Sequence, residues 1–290
     1  MTQTAAQKTA IITGANSGIG KITALELLKQ GYRIGMVCRS KEKGEAALEE
    51  IVRESGNSKA ELFICDLSSM QQIRDAAIAL REAFPVLDLL VNNAGMLPDS
   101  SRNVTSEGLE VTFATNHLSY FLLTKELLPN LKAAASARVV NVASEAHRSG
   151  TFDAGNLQLE KGYNTFKAYG NSKLFNIMFA RQLAVELEGT QVTSYSLHPG
   201  VVNTNFASKS NSLFAKLFNL GRFFMISPEK GARTTLYLCT EPGIEHLNGR
   251  YFVTSKPAKP TVKDAYDDHK CRELWDLSEK ITEIIFYSNS

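Results

Sequence analysis

Short apolar runs alternate along the chain with longer segments of helical spacing. The runs TAIITG (9–14), YRIGMVC (32–38), AELFIC (60–65), LDLLVN (87–92), ARVVNVA (137–143) and VTSYSL (192–197) are rich in Val, Ile and Leu and lack strict apolar–polar alternation. That pattern predicts strands covered on both faces. GRYFV (249–253) is a weaker seventh strand. The segments between them predict helices. GIGKITALELLKQG ends on Gly31, which suits a helix C-terminus. SKEKGEAALEEIVRESG repeats apolar residues at Ala47, Leu48, Ile51 and Val52. SSMQQIRDAAIALREAF opens on Ser68 with Gln71 three residues on, the spacing of a capping box. SPEKGARTTLYLCT opens with Ser227 as cap and Pro228 at the first helical position.

Strand, helix, strand, repeated, implies right-handed crossovers. The expected fold class is α/β: a doubly wound, mostly parallel sheet of about seven strands with helices on both faces. No repeat, low-complexity tract or linker divides the chain, so a single domain over residues 1–290 is expected. Its core would span about 8–255, with a helical tail about 256–290 holding VKDAYDDHKCRELWDLSEKI.

Composition narrows the classes. Among 290 residues, 43% are hydrophobic and 21% charged, and the formal net charge is +2. That balance suits a protein with a large core and gives no support for a nucleic-acid partner. Cys38, Cys65, Cys239 and Cys271 form no CxxC pair and read as buried reduced thiols. The five histidines make neither HxxxH nor HExxH, so no metal is expected. No apolar run is long enough for a signal peptide or a spanning helix, so a soluble, cytoplasmic protein is expected.

Chemistry concentrates first in TGANSGIG (13–20), between a predicted strand and a predicted helix. Gly14, Gly18 and Gly20 let the backbone turn tightly and approach a pyrophosphate, with Asn16, Ser17 and Ile19 between them. The helix start adds free N–H groups and the positive end of a dipole. The spacing is G-x-x-x-G-x-G rather than G-x-G-x-x-G. Further along, Tyr169 and Lys173 lie four apart on a predicted helix and share a face. An ammonium there favours the phenolate and lowers the phenol pKa, which would let Tyr169 serve as general acid or base.

TGANSGIG, NNAG (92–95), Asn116, Ser144 and YGNSK (169–173), in that order, resemble the motif set of the short-chain dehydrogenase/reductases. The resemblance runs from about residue 8 to 255 and implies a Rossmann-type sheet. NHLSYFLLTKELLP (116–129), AYGNSKLFNIMFARQLA (168–184) and the 25 positions between Ser144 and Tyr169 resemble the retinol-dehydrogenase branch. The resemblance implies that Ser144 hydrogen-bonds the reacting carbonyl oxygen, that Lys173 holds the nicotinamide ribose, and that Asn116 fixes a proton-relay water. It implies that Asp66, with the Leu67 N–H, meets the adenine. Asn93, Ala94 and Gly95 pass the adenosine ribose. In HPGVVNTNF (198–206), Pro199 and Gly200 make a turn, while Val202 and Thr204 meet the nicotinamide carboxamide. A homodimer through the apolar helix LFNIMFARQLAVEL is a further implication.

The residues after the second strand meet the adenosine ribose in this fold: an acid favours NAD, a base the 2′-phosphate of NADP. Here MVCRSKEKGE presents Arg39, Ser40 and Lys43, with no carboxylate before Glu42. NADP(H) is therefore preferred, with NAD(H) as second choice. Apolar residues crowd 213–226 within a substrate loop or lid at about 203–228. They fit a lid over a lipophilic substrate, a core helix, or peripheral membrane contact. The expected activity is NADP(H)-dependent interconversion of an aldehyde or ketone with an alcohol, retinol dehydrogenase-like or carbonyl reductase-like. The alternatives are an NADP-binding sensor without activity, an NAD-dependent alcohol dehydrogenase, and a lyase or epimerase.

Overall fold

The structure, a computed structural model, describes residues 7–200 and 226–289, with side chains to residue 283. The predicted strands appear as β1 (Thr9–Thr13), β2 (Arg33–Cys38), β3 (Ala60–Ile64), β4 (Leu89–Asn92), β5 (Ala137–Val142), β6 (Val192–His198) and β7 (Tyr251–Val253). An eighth, β8 (Lys256–Ala258), was not legible in the sequence. The sheet order is β3-β2-β1-β4-β5-β6-β7-β8, parallel throughout except for the last pair. Strand order reverses between β1 and β4, which opens a crevice at their carboxyl ends.

The inner strands have the burial that their composition predicts: every residue of β4 and β5 is buried. β3 departs from it. It is the edge strand, Glu61 and Ile64 are exposed, and the run AELFIC is apolar on only part of its surface. β7 and β8 join through Thr254 and Ser255, both with positive φ (48° and 59°). A two-residue hairpin with two positive φ values ordinarily takes Asn-Gly or similar residues, so Thr-Ser gave no turn signal.

Helices α1 (Gly18–Lys29), α2 (Lys41–Ser55) and α3 (Met70–Ala83) follow the first three strands. Then come α4 (Ser119–Ala133), α5 (Thr165–Glu186), α6 (Pro228–Thr240) and α7 (Asp268–Asn289). α1, α2 and α6 cover one face of the sheet; α3, α4, α5 and α7 cover the other. α6 has the predicted Ser227 cap and Pro228 start. Gly31 takes φ 88° just past α1, as its lack of a side chain allows. The α3 cap is one residue later than expected. Ser69 accepts from the Gln72 N–H, and the Gln72 side chain accepts from the Asp66 N–H instead of closing a capping box.

The helix α5 explains its own composition. It is apolar on nearly all sides because strands β5 and β6 lie under it and α7 lies over it. Trp275 of α7 stacks on Phe179 of α5 at 5.9 Å and meets Phe121 of α4 edge-on at 4.9 Å. α7 thus covers part of the helix expected to receive a partner copy. All four cysteines are buried and free.

Candidate active site

The loops that leave the carboxyl ends of β1 to β6 converge on a cleft of about 1000 Å³. Gly14, Asn16, Ser17, Gly18 and Ile19 line it, as do Arg39, Ser40, Lys43, Asp66 and Leu67. Asn93, Ala94, Gly95, Ser144, Tyr169, Lys173, Pro199 and Gly200 line it too, whereas Gly20 and Asn116 of the expected set do not. Val202 and Thr204, with most of the proposed lid and of 213–226, lie outside the described residues. Of the lining, Met96, Leu97, Asp99, Glu145 and His198 were not singled out in the sequence. Each sits within a few residues of a recognised motif, and that adjacency was the available signal.

The three loop glycines do different work. Gly14 has φ 67°, and a Cβ there would stand 3.0 Å from the Ala94 Cα. Gly18 has φ 54° and opens α1. Gly20 does not line the cleft. A Cβ on it would meet the Asn93 Nδ2 and the Gly14 carbonyl oxygen, each at 2.5 Å, so its smallness serves packing of α1 against the turn. Ser17 makes no capping hydrogen bond and the first turn of α1 carries no acid. Its leading N–H groups and dipole end therefore face the cleft uncompensated, which suits a pyrophosphate.

Thr13 organises the neighbouring loop. Its hydroxyl accepts from the N–H groups of Asn93 and Ala94, each at 2.9 Å, while the Asn93 Nδ2 donates to the Thr13 carbonyl at 2.8 Å. Tyr120 locks the same loop by donating to the Ala94 carbonyl at 2.7 Å. At the end of β2, Arg39 and Lys43 are exposed, and neither side chain has a partner among the described residues. Ser40 caps α2 by accepting from the Lys43 N–H. Asp66 accepts from the Ser68 N–H and hydroxyl through Oδ1, at 3.0 and 2.8 Å, which fixes its orientation at the rim.

Tyr169 and Lys173 sit on α5 with Ser144 at the end of β5, and all three line the cleft. The Lys173 Nζ lies 5.7 Å from the Tyr169 ring centroid and donates to the Val142 carbonyl at 3.1 Å. The Ser144 hydroxyl faces the Tyr169 phenol closely enough to favour its phenolate form. Its Oγ also accepts from the Ala146 N–H at 3.1 Å.

Burial opposes the expected lowering of the phenol pKa. Burial raises the Tyr169 phenol above its ordinary value, against a smaller opposing effect of Ser144. Burial also pushes Lys173 down to about 7. Desolvation penalises both charged forms.

The Asn116 side chain is engaged by its neighbours. Its Nδ2 donates to the Met96 carbonyl and the Ser172 hydroxyl, at 3.0 and 3.1 Å. Its Oδ1 accepts from the Met96 N–H at 2.8 Å. Both amide hydrogens are used, so the side chain clamps the Met96 loop to α5. Asn116 lies in a π-helical turn, Ala114–Leu118, ahead of α4. Such turns disturb the regular carbonyl ladder and recur at functional sites.

A sequence model of the short chain dehydrogenase family matches residues 8–213. The chain belongs to that family. It is 42% identical over 278 residues to dehydrogenase/reductase SDR family member 13 of Bos taurus, covering 94% of this chain and 73% of that protein. It is 39% identical to human retinol dehydrogenase 14, covering 96% and 87%. A solved protein of Mycobacterium paratuberculosis superposes with TM-score 0.75 at 32% identity, over 96% of this chain and 94% of that one. An actinorhodin polyketide ketoreductase solved with NADPH gives TM-score 0.66 at 27% identity, over 85% and 95%. This short-chain dehydrogenase is thus an oxidoreductase of the retinol dehydrogenase-like branch. Among its described residues no cluster of side chains could hold a metal ion, and no helix is long and apolar enough to cross a membrane.

Proposed function

We propose that the protein is an NADP(H)-dependent carbonyl reductase acting on a lipophilic aldehyde or ketone, with Tyr169 as general acid. The observation that carries the proposal is geometric: Ser144, Tyr169 and Lys173 line the same cleft as the Gly14–Ile19 loop and the exposed cations Arg39 and Lys43. The Tyr169 phenol is protonated at neutral pH and can donate to an oxygen that gains charge.

The cleft fits a dinucleotide. Gly14 leaves the backbone open, the α1 N-terminus offers N–H groups, and Asn93 to Gly95 are pre-set by Thr13. Arg39 and Lys43, without partners among the described residues, suit a 2′-phosphate through a planar fork and a point charge. When bound, the nicotinamide supplies the hydride. Ser144 would then direct the carbonyl oxygen, its O–H turning from the Tyr169 phenol to the substrate while the Ala146 N–H holds the Oγ. Tyr169 gives the proton. Lys173 orients the ribose from beside it, and a water held at the Asn116 turn would reprotonate the pair. Met96 and Leu97 provide the apolar wall. The names of the related retinol dehydrogenases support a lipophilic substrate.

The test is NADPH oxidation against a panel of apolar aldehydes and ketones, from small aromatics to retinal and steroids, with NADH alongside. Turnover with NADPH is expected, and the rank order would size the pocket. Tight NADPH binding with no turnover on any carbonyl would replace this reading with that of a sensor.

A further inference from the structure

The turn after Ser144 carries a histidine that neither the cofactor cleft nor the Tyr169–Lys173 pair employs. His147 lies in the 3₁₀ turn Glu145–Ser149, is fully buried, and does not line the cleft. Its Nδ1 stands 2.8 Å from the Ser144 carbonyl oxygen. Its Nε2 stands 3.2 Å from the backbone nitrogen of Thr261, with the Thr261 hydroxyl at 3.3 Å. A carbonyl only accepts, so Nδ1 must carry the hydrogen. A backbone N–H only donates, so Nε2 must be bare. The two contacts together select one state, the neutral Nδ1–H tautomer.

Other ties hold the same turn to the C-terminal part of the chain. The Tyr251 ring of β7 meets the His147 ring edge-on at 5.4 Å, and the Tyr251 hydroxyl donates to Glu145 Oε1 at 3.0 Å. The Phe152 N–H donates to Asp264 Oδ2 at 3.0 Å. The charged and titratable neighbours of the imidazole are Glu145, Arg148, His198 and Tyr251. Burial lowers the His147 pKa, and Arg148 adds to that; the Ser144 carbonyl and Glu145 oppose it without reversing it. The neutral form is therefore the resting one near neutral pH.

Ser144 is thereby fixed on two sides. Its carbonyl accepts from the His147 ring and from the His147 N–H, the latter at 3.0 Å. Its Oγ accepts from Ala146. Holding the carbonyl sets the peptide plane and so the direction in which the side chain leaves the backbone. We propose that His147 is a positioning residue: its imidazole pins the Ser144 carbonyl to the Thr261 segment and so aims the Ser144 hydroxyl at the substrate oxygen. The inference rests on the carbonyl-reductase reading above, since the aim matters only if Ser144 serves a reaction.

Three substitutions separate the contacts. His147→Asn keeps an N–H near the Nδ1 position. His147→Gln reaches only the Nε2 position. His147→Phe fills the space with neither. We expect His147→Phe to lower kcat by roughly tenfold to a hundredfold, the scale of a small misplacement of a reacting group, with NADPH affinity unchanged. His147→Asn should recover most of kcat and His147→Gln should not. Because the effect runs through Ser144, adding His147→Phe to Ser144→Ala should cost nothing further. A full additional loss in that double variant, or equal losses in the Asn and Gln variants, would overturn the proposal.

Nitrogen-15 NMR of the histidine rings in the full chain gives a readout that needs no turnover. A His147 signal of the Nδ1–H tautomer is expected, and an Nε2–H tautomer would break the clamp whatever the kinetics. A wild type that turned over no carbonyl, with the expected tautomer present, would overturn the parent reading, and the catalytic purpose of the clamp with it.

Discussion

Lys173 donates to the Val142 carbonyl 3.1 Å away, and the same carbonyl also accepts from the Asn176 amide at 3.3 Å. The lysine is thus held by a group that does not depend on it. Burial lowers its pKa from 10.5 to about 7. Between those values the unfolded chain binds a proton that the folded protein does not, so stability attributable to this site rises with pH. Below about 7 both states are protonated and the full penalty of burying the charge is present.

Lys173→Met removes that penalty and leaves Val142 partnered. Without bound cofactor, the variant should melt above the wild type at about pH 6, and its advantage should shrink steadily towards about pH 10. Thermal melts across that range check it. An advantage that did not change with pH would show that the lysine is not desolvated.

Tyr169→Phe removes the proton donor while preserving the ring. Loss of about a hundredfold to ten-thousandfold in kcat is expected, the usual worth of a positioned acid. NADPH binding, followed by fluorescence, should hardly change. Activity equal to the wild type would transfer the proton to another group, Ser144 first among them.

Arg39→Ala tests the cofactor preference. Losing a charge-assisted pair with a phosphate should weaken NADPH binding by about 1.5–3 kcal/mol and leave NADH binding nearly untouched. Titration of both cofactors against the variant decides it. Equal weakening would place Arg39 on a part that the two cofactors share.

The site was legible to the degree that it is written in strand ends. Gly14, Arg39, Asp66, Ser144 and Pro199 each follow an apolar run, and the parallel sheet brings those ends to one edge. What stayed hidden depends on contacts distant in sequence. Gly20 has the same residue type as Gly14, yet its need for a bare Cα comes from Asn93, a neighbour only after β1 and β4 pair. The spent amide of Asn116 depends on Met96, and the fate of the Tyr169–Lys173 pair depends on how deeply α5 is buried. Spacing on a helix reports a shared face but not the solvent that the face has lost.

The apolar helix α5 poses the last question, because its composition fits either a buried helix or a dimer interface. α7 accounts for part of that apolar surface with Trp275, Leu274 and Cys271, all buried in the core that α4 and α5 share. Ion pairs rim the contact: Arg181 with Asp268, Arg272 with Glu186, and Lys125 with Glu279. These are partly exposed and contribute little each, so the indole carries the attachment. Trp275→Ala should therefore cost about 3–5 kcal/mol in denaturant unfolding, as large-to-small changes in a core do. It should also expose Phe121 and Phe179, which an apolar dye would report, and invite self-association in light scattering. A variant that lost the stability but bound no dye would mean that the helices close over the gap. One that lost neither would show that α7 is held by its rim rather than by its core.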